Sequence, residues 1–342
     1  MKLGLMVGYW QSGPPQGVEE AIAEAERLGF DSIWTAEAYG SDCLTPLAWW
    51  GSKTTRLRLG TAIAQISART PTAMAMAAIT MDHLSGGRFI LGLGASGPQV
   101  VEGWYGQPYP RPLERTREYV EIIRRVLARE EPLQFVGKQY QIPYRDETGL
   151  GKPLKSIVHP LRKDVPIFLG AEGPKNVALA AEIADGWLPI FFSPKSDRFY
   201  RQALAEGFAR PNARRKPEEF EVVGTVPIVI HPDVEAAADF IRPMLALYVG
   251  GMGARDMNFH RDVFVRMGYE AECRDIQDLY LEGKKKEATA AVPTRMVEDV
   301  ALIGPPGKIK DELQEWRKTV LTTMIVSGPA AMLRPIAELV LD

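Results

Sequence analysis

The feature that most constrains this chain is a beat of short apolar runs, each followed by an amphipathic stretch, recurring eight times with no linker between halves. Leu3–Val7 precedes a helical stretch at Val18–Leu28, closed by Gly29, since glycine enters the left-handed conformation that ends a helix without steric cost. The runs Ser32–Thr35, Leu57–Ala64 and Arg88–Leu93 follow, with helices predicted at Leu44–Lys53, Thr72–Leu84 and Leu113–Ala128. The beat resumes at Pro166–Leu169, Lys175–Ala184, Gly186–Ile190 and Asp197–Ala209. A β-rich run at Glu219–Ile230, helices at Val234–Tyr248, Thr294–Ile303 and Lys308–Lys318, a strand at Leu321–Val326 and a helix at Pro329–Leu341 complete it. Strands alternating with helices predict an α/β fold, a closed (β/α)8 TIM barrel rather than a doubly wound sheet. The expected organisation is one barrel domain over 1–342 with insertions near 131–165, where a small hairpin is expected around Leu133–Ile142, and near 250–290. In such barrels the chemistry sits where the strands end, so the residues just after each strand are the place to look.

Composition narrows the classes of function. Hydrophobic residues make up 46% of the 342 positions, enough for a large core. Lys plus Arg (41) nearly balance Asp plus Glu (43), for a net charge of −2. The longest basic clusters, Arg214–Lys216 and Lys284–Lys286, read as solvated faces, so neither nucleic acid nor an anionic membrane surface is expected as a partner. No apolar stretch approaches the roughly 20 residues of a membrane-spanning helix. The run Leu3–Val7 is too short for the apolar part of a secretion signal, and Tyr9-Trp10-Gln11-Ser12-Gly13-Pro14 breaks it at once. Two cysteines far apart in sequence, Cys43 and Cys273, fit a reducing compartment better than a disulfide framework, and a soluble cytoplasmic protein is expected.

Several motifs lead nowhere. The four histidines, His83, His159, His231 and His260, stand at no ligand spacing, so no metal site is expected. Gly304-Pro305-Pro306-Gly307-Lys308 is too short for a phosphate-binding P-loop. Gly92-Leu93-Gly94-Ala95-Ser96-Gly97 matches the dinucleotide fingerprint and follows a predicted strand, but the next predicted helix begins only at Leu113. A Rossmann loop places its pyrophosphate on a helix that starts at once. A glycine-rich loop at a barrel mouth, admitting a ligand close to the backbone, is the better account.

Three stretches carry a family resemblance: Leu59-Gly60-Thr61-Ala62-Ile63, the segment from Thr80-Met81-Asp82-His83-Leu84-Ser85-Gly86-Gly87-Arg88 to Phe89-Ile90-Leu91-Gly92-Leu93-Gly94, and Ala184-Asp185-Gly186-Trp187-Leu188-Pro189. With Phe30-Asp31-Ser32-Ile33-Trp34 they keep a common order, and over essentially its whole length the chain resembles the luciferase-like monooxygenase superfamily, in its branch of F420-dependent oxidoreductases. The resemblance implies a bacterial luciferase-like barrel, coenzyme F420 as cofactor with FMN as the alternative, and a homodimer. The Ala/Met-rich Thr72–Leu84 helix is a candidate dimer face, packing on its own sheet alone being the other reading.

The resemblance also implies particular residues. A non-proline cis peptide at Ala62–Ile63, followed by Ala64, would back the tricyclic ring, with an ordinary trans strand end as the alternative. The loop Gly94, Ala95, Ser96 and Gly97, the turn Gly170, Ala171, Glu172 and Gly173, and the pair Pro189 and Ile190 would line the rest of the cofactor. Physically, the second of these directly precedes a helix, whose free N–H groups suit a phosphate; a capping turn with no ligand is the other reading. Glu37 stands where relatives place a His or an acidic residue near the reactive centre. A carboxylate in an apolar pocket there suits acid–base work, and one paired with an arginine at the rim is its rival. Tyr9, Trp10, Trp104 and Tyr105 are expected in mouth loops, as walls for a small-molecule substrate or as simple packing, with the 250–287 segment as a lid.

The expected function is therefore F420-dependent hydride exchange with an organic substrate. An FMN-dependent monooxygenase and a non-catalytic F420-binding protein are the alternatives.

Overall fold

The computed structural model describes residues 1–341 except residues 11, 147, 148 and 256. Eight parallel strands close into a barrel: β1 (Lys2–Met6), β2 (Ser32–Thr35), β3 (Arg58–Thr61), β4 (Phe89–Gly94), β5 (Ile167–Gly170), β6 (Gly186–Leu188), β7 (Glu221–Thr225) and β8 (Thr323–Val326). Each pairs with the next in order, and β8 returns to β1 with Leu3 opposite Met324 and Leu5 opposite Val326. Around them lie α1 (Val18–Arg27), α2 (Leu44–Gly51), α3 (Pro71–Leu84), α4 (Pro112–Ala128), α5 (Pro174–Ile183), α6 (Asp197–Phe208), α7 (Pro306–Arg317) and α8 (Ala330–Val340). The predicted (β/α)8 barrel is the fold.

Side chains alternate along each strand, and the two sets build two different cores. Leu3, Leu5, Ile33, Leu59, Leu91, Leu93, Ile167, Leu169, Trp187 and Met324 point outward into the main core beneath the helices. Trp34, Ile90, Phe168, Leu188, Val223 and Ile325 point inward and fill the lumen, with the Trp34 and Phe168 rings stacked at 6.3 Å. The indole fits because its neighbours give way: a Cβ at Gly60 would lie 2.2 Å from the Trp34 ring. The barrel is thus packed solid below its mouth, as barrels of this kind are.

The N-terminal rim is sealed by ion pairs. Arg58 donates to Asp31 at 2.6 Å and to Glu221 at 2.7 Å, joining β2, β3 and β7. Arg124, Arg214 and Arg215 converge on the buried Asp185, which also accepts the Ile167 N–H at 2.8 Å.

Two expectations shift in the second half. The run 234–248 is two helices, Val234–Asp239 and Arg242–Gly250, because Pro243 lacks an N–H and is tolerated only in a helix's first turn. The stretch 294–303 is a short helix, Thr294–Glu298, and then a strand, Leu302–Gly304, which pairs with Ile228–Ile230. These pieces enclose a second core, with Leu245, Val249, Phe264, Cys273, Ile276, Met296 and Ile303 buried together. The segment expected near 250–290 is the middle of this helical unit and holds helices Phe259–Arg266, Glu270–Leu281 and Lys285–Ala290. In the 131–165 segment Phe135–Val136 and Gln141–Ile142 form the expected hairpin. Among the described residues no helix is long and apolar enough to cross a membrane, and both cysteines are buried and free.

Candidate active site

The strand ends converge on one opening, and its centre is the exit of β3. The Ala62–Ile63 peptide bond is cis, as the family resemblance implied. Both residues are only partly buried and rest on the lumen cluster, so Ile63 stands as a wedge on the floor of the mouth. Its neighbours leave it room. A Cβ at Gly94, the last residue of β4, would lie 2.8 Å from Ile63, and one at Gly170, the last of β5, would lie 3.0 Å from it. Thr61 secures the strand end by donating to Gly92 O at 2.7 Å and accepting from Gly92 N–H at 2.9 Å. Ala64 is buried and begins a two-residue strand, Ala64–Gln65, against Leu93 and Gly94.

Glu37, after β2, is held by an arginine and by two backbone N–H groups. It does not sit in an apolar pocket. Arg69 grips it with two nitrogens, at 2.6 and 3.1 Å, and the Gln65 and Cys43 N–H groups donate to it at 2.9 and 3.2 Å. Burial by itself would lower the Arg69 guanidinium, but the hydrogen bonds and charge of Glu37 outweigh it and raise it. Both carboxylate oxygens are taken up as acceptors, which is the arginine-paired arrangement. Sequence reasoning missed Arg69 and Gln65; their only signal was position, just beyond a strand end.

The other expected residues gather around the same rim. After β4, Ala95, Ser96 and Gly97 are partly exposed, Ser96 has a left-handed φ of 58°, and Tyr109 donates to Ser96 O at 3.2 Å. After β5, the N–H groups of Glu172, Gly173 and Lys175 make no hydrogen bond among the described residues, and Ala171 O accepts from the Trp187 indole at 2.8 Å. The Glu172 side chain turns to His260 instead of leaving the turn empty, with 2.6 Å between Oε1 and Nδ1. After β6, Pro189 is buried and Ile190 partly exposed.

The aromatic residues divide. Tyr9 meets Tyr39 edge to face at 6.4 Å, and burial followed by the neighbouring Tyr39 raises its phenol. Trp10 packs on Trp50 at 5.7 Å, and its buried Nε1 has no hydrogen-bond partner. Trp104 is 65% exposed and lines a side cleft of about 220 Å³ with Glu37, Ser41, Asp42, Arg69 and Tyr105. Tyr105 anchors that loop by donating to Ala38 O at 2.9 Å. Tyr248, which no motif announced, faces the mouth from the second core; burial and then Glu172, Tyr9 and Tyr39 raise its phenol. Among the described residues no group of three or more His, Cys, Asp or Glu is placed to hold a metal ion.

A family model for luciferase-like monooxygenases matches residues 2–323. The chain belongs to the luciferase-like monooxygenase family. Within this family, a protein of Mycobacterium tuberculosis provisionally named a coenzyme F420-dependent oxidoreductase is 56% identical over an alignment of 343 positions, covering 99% of each chain. Among solved structures, the coenzyme F420-dependent tetrahydromethanopterin reductase of Methanopyrus kandleri superposes with a TM-score of 0.80 at 23% identity, covering 99% of this chain and 98% of the other. An F420-dependent secondary alcohol dehydrogenase, solved with an F420–acetone adduct, follows with a TM-score of 0.76 at 16% identity, over 100% and 99% of the two chains. At those identities the two structures speak for the luciferase-like fold.

Proposed function

We propose that this protein is a coenzyme F420-dependent oxidoreductase that exchanges a hydride with a small organic substrate at the barrel mouth. The observation that carries the reading is the partly buried Ile63 wedge, kept clear by Gly94 and Gly170 over a lumen that is filled below it. A flat ring needs an apolar support with no side chain rising beside it, and this floor has that form. The 56% identity to the mycobacterial protein supports the choice of F420.

In this reading Ala62, Ile63 and Ala64 back the ring, and Gly94, Ala95, Ser96 and Gly97 border it. Gly170, Ala171, Gly173 and the backbone of Glu172 lie toward the anionic tail with Pro189 and Ile190, because free N–H groups at the start of α5 attract negative charge. F420 bound there supplies or accepts a hydride, two electrons at a time. The chain's own share is to hold the reactants in register and keep water out, with Tyr9, Trp10 and Trp104 as substrate walls. Glu37 acts by position: it holds Arg69 and ties the exits of β2 and β3 together.

Absorbance titration with F420 and with FMN tests the reading. Saturable F420 binding is expected; tight FMN binding without F420 binding would overturn it. The partner is a second copy of this chain, a reading supported by the outer face of α3, where Met76 and Leu84 are exposed among uncharged residues and His83. Sedimentation equilibrium of the purified protein checks it, and a monomer would remove it.

A further inference from the structure

We propose that the cleft between the start of α6 and the end of the helix Phe259–Arg266 is a second anion subsite, in which Arg266 binds a carboxylate or phosphate group farther along the cofactor's tail. The proposal rests on the F420 reading above and deepens it: there the tail meets the turn after β5, and here it continues past that turn.

The cleft has a volume of about 300 Å³ and is walled by Phe199, Tyr200, Val263 and Met267. Two cations line it, Lys195 and Arg266, and they differ in what surrounds them. Lys195 is spent: its Nζ lies 2.6 Å from the Asp299 carboxylate, which also accepts from the Tyr269 phenol at 2.6 Å. Arg266 makes no ion pair among the described residues. The carboxylates nearby are engaged elsewhere, Glu172 with His260 at 2.6 Å and Asp262 with Arg261 at 3.4 Å. An unpaired arginine at a surface is by itself only a solvated charge. Arg266 is set apart because it is held. Its guanidinium lies over the Phe199 ring at 5.3 Å and donates to Glu172 O at 3.1 Å, so the freedom of a long side chain is already lost before a ligand arrives. It also faces the Tyr200 phenol, which burial raises and the guanidinium lowers.

The contact with Glu172 joins the cleft to the turn. Glu172 C=O and Gly173 N–H belong to one trans peptide, so they point to opposite sides. Arg266 takes up the oxygen side. The Gly173 N–H on the other side makes no hydrogen bond among the described residues, like those of Glu172 and Lys175. A guanidinium on that carbonyl polarises the peptide and makes its N–H the stronger donor. The two attractions therefore stand on opposite edges of one peptide group, and one small ion does not reach both. A chain with two anionic groups does, the first at the N–H groups of the turn and the second in the cleft. The tail of F420 is such a chain, a phosphodiester followed by carboxylates. The apolar walls keep water from one side of that second group and strengthen its attraction to Arg266.

Three deazaflavins separate the two subsites in fluorescence titrations: F420 itself, the deazaflavin phosphate that keeps only the first anionic group, and the deazaflavin alcohol that keeps none. The wild-type protein is expected to bind F420 about tenfold or more tighter than the phosphate. Arg266→Met, which keeps an apolar stem, should erase that margin and leave the affinities for the phosphate and the alcohol as they were. Arg266→Lys should restore part of it. Equal affinity of the wild type for F420 and the phosphate would overturn the proposal. So would weaker binding of all three to Arg266→Met, the mark of an arginine that only shapes the turn.

Phenylglyoxal labelling of the wild-type protein, mapped by mass spectrometry, needs no variant. Saturating F420 is expected to slow modification of Arg266 about tenfold, as for a group enclosed by a bound ligand, while the deazaflavin phosphate leaves it unchanged. Slowing by inorganic phosphate with no effect of F420 would give the cleft to a free anion and overturn its assignment to the tail. Modification that neither one slows overturns the subsite altogether. No binding of any deazaflavin removes the F420 reading together with the proposal.

Discussion

The two ends of the barrel obey opposite rules. At the N-terminal rim almost every charge is matched: Arg58 with Asp31 and Glu221, and three arginines on Asp185, with the Nε of Arg124 as one nitrogen left over. At the C-terminal rim the groups stay open: the Trp10 indole N–H and Glu172 Oε2 lack partners, and Ile63 is only partly buried. Buried polar groups are costly when unpaired, and at the mouth a bound ligand is able to complete them. The closed end serves the fold and the open end serves the reaction.

That comparison can be broken by experiment. The largest effect is expected at the closed end. Asp185→Ala removes the buried one of the two carboxylates, Asp185 and Asp164, that hold three guanidiniums, and should lower unfolding free energy by about 3–5 kcal/mol in a denaturant titration, with F420 affinity of the folded protein unchanged. A matching loss of affinity would show that the two ends are coupled. Glu37→Gln weakens the grip on Arg69 and should cost about 1–3 kcal/mol by the same assay, with F420 still bound. Gly94→Ala pushes on Ile63, and fluorescence titration should find the Kd for F420 about tenfold weaker, roughly 1.4 kcal/mol. An unchanged Kd would remove Ile63 from the ring site. Trp104→Ala should shift stability by less than about 0.5 kcal/mol, since the ring is exposed, and any effect should fall on substrate KM.

The barrel was legible because each of its strands is an apolar run bounded by glycine, proline or charge, a pattern that local sequence displays. The Leu302–Gly304 strand was not: three residues are too few for a period, and their partner lies some seventy positions away at Ile228–Ile230. The mouth was legible where glycines mark a close approach, as at Gly94 and Gly170. Pairings across the fold left no trace. Glu37 and Arg69 are separated by 32 positions and Glu172 and His260 by 88, and nothing in either neighbourhood names the other. A lone histidine in a helical segment reads as surface until the fold sets a carboxylate beside it.

The indole of Trp34 in the lumen, stacked on Phe168, has a kinetic consequence. With that layer in place the barrel is a cup and not a pipe, so everything enters and leaves over one rim. Whatever lies deepest must arrive first and depart last. Trp34 shares that floor with Ile90, Phe168, Leu188, Val223 and Ile325, and if the cofactor lies on it, initial-rate kinetics should find a compulsory order, cofactor before substrate.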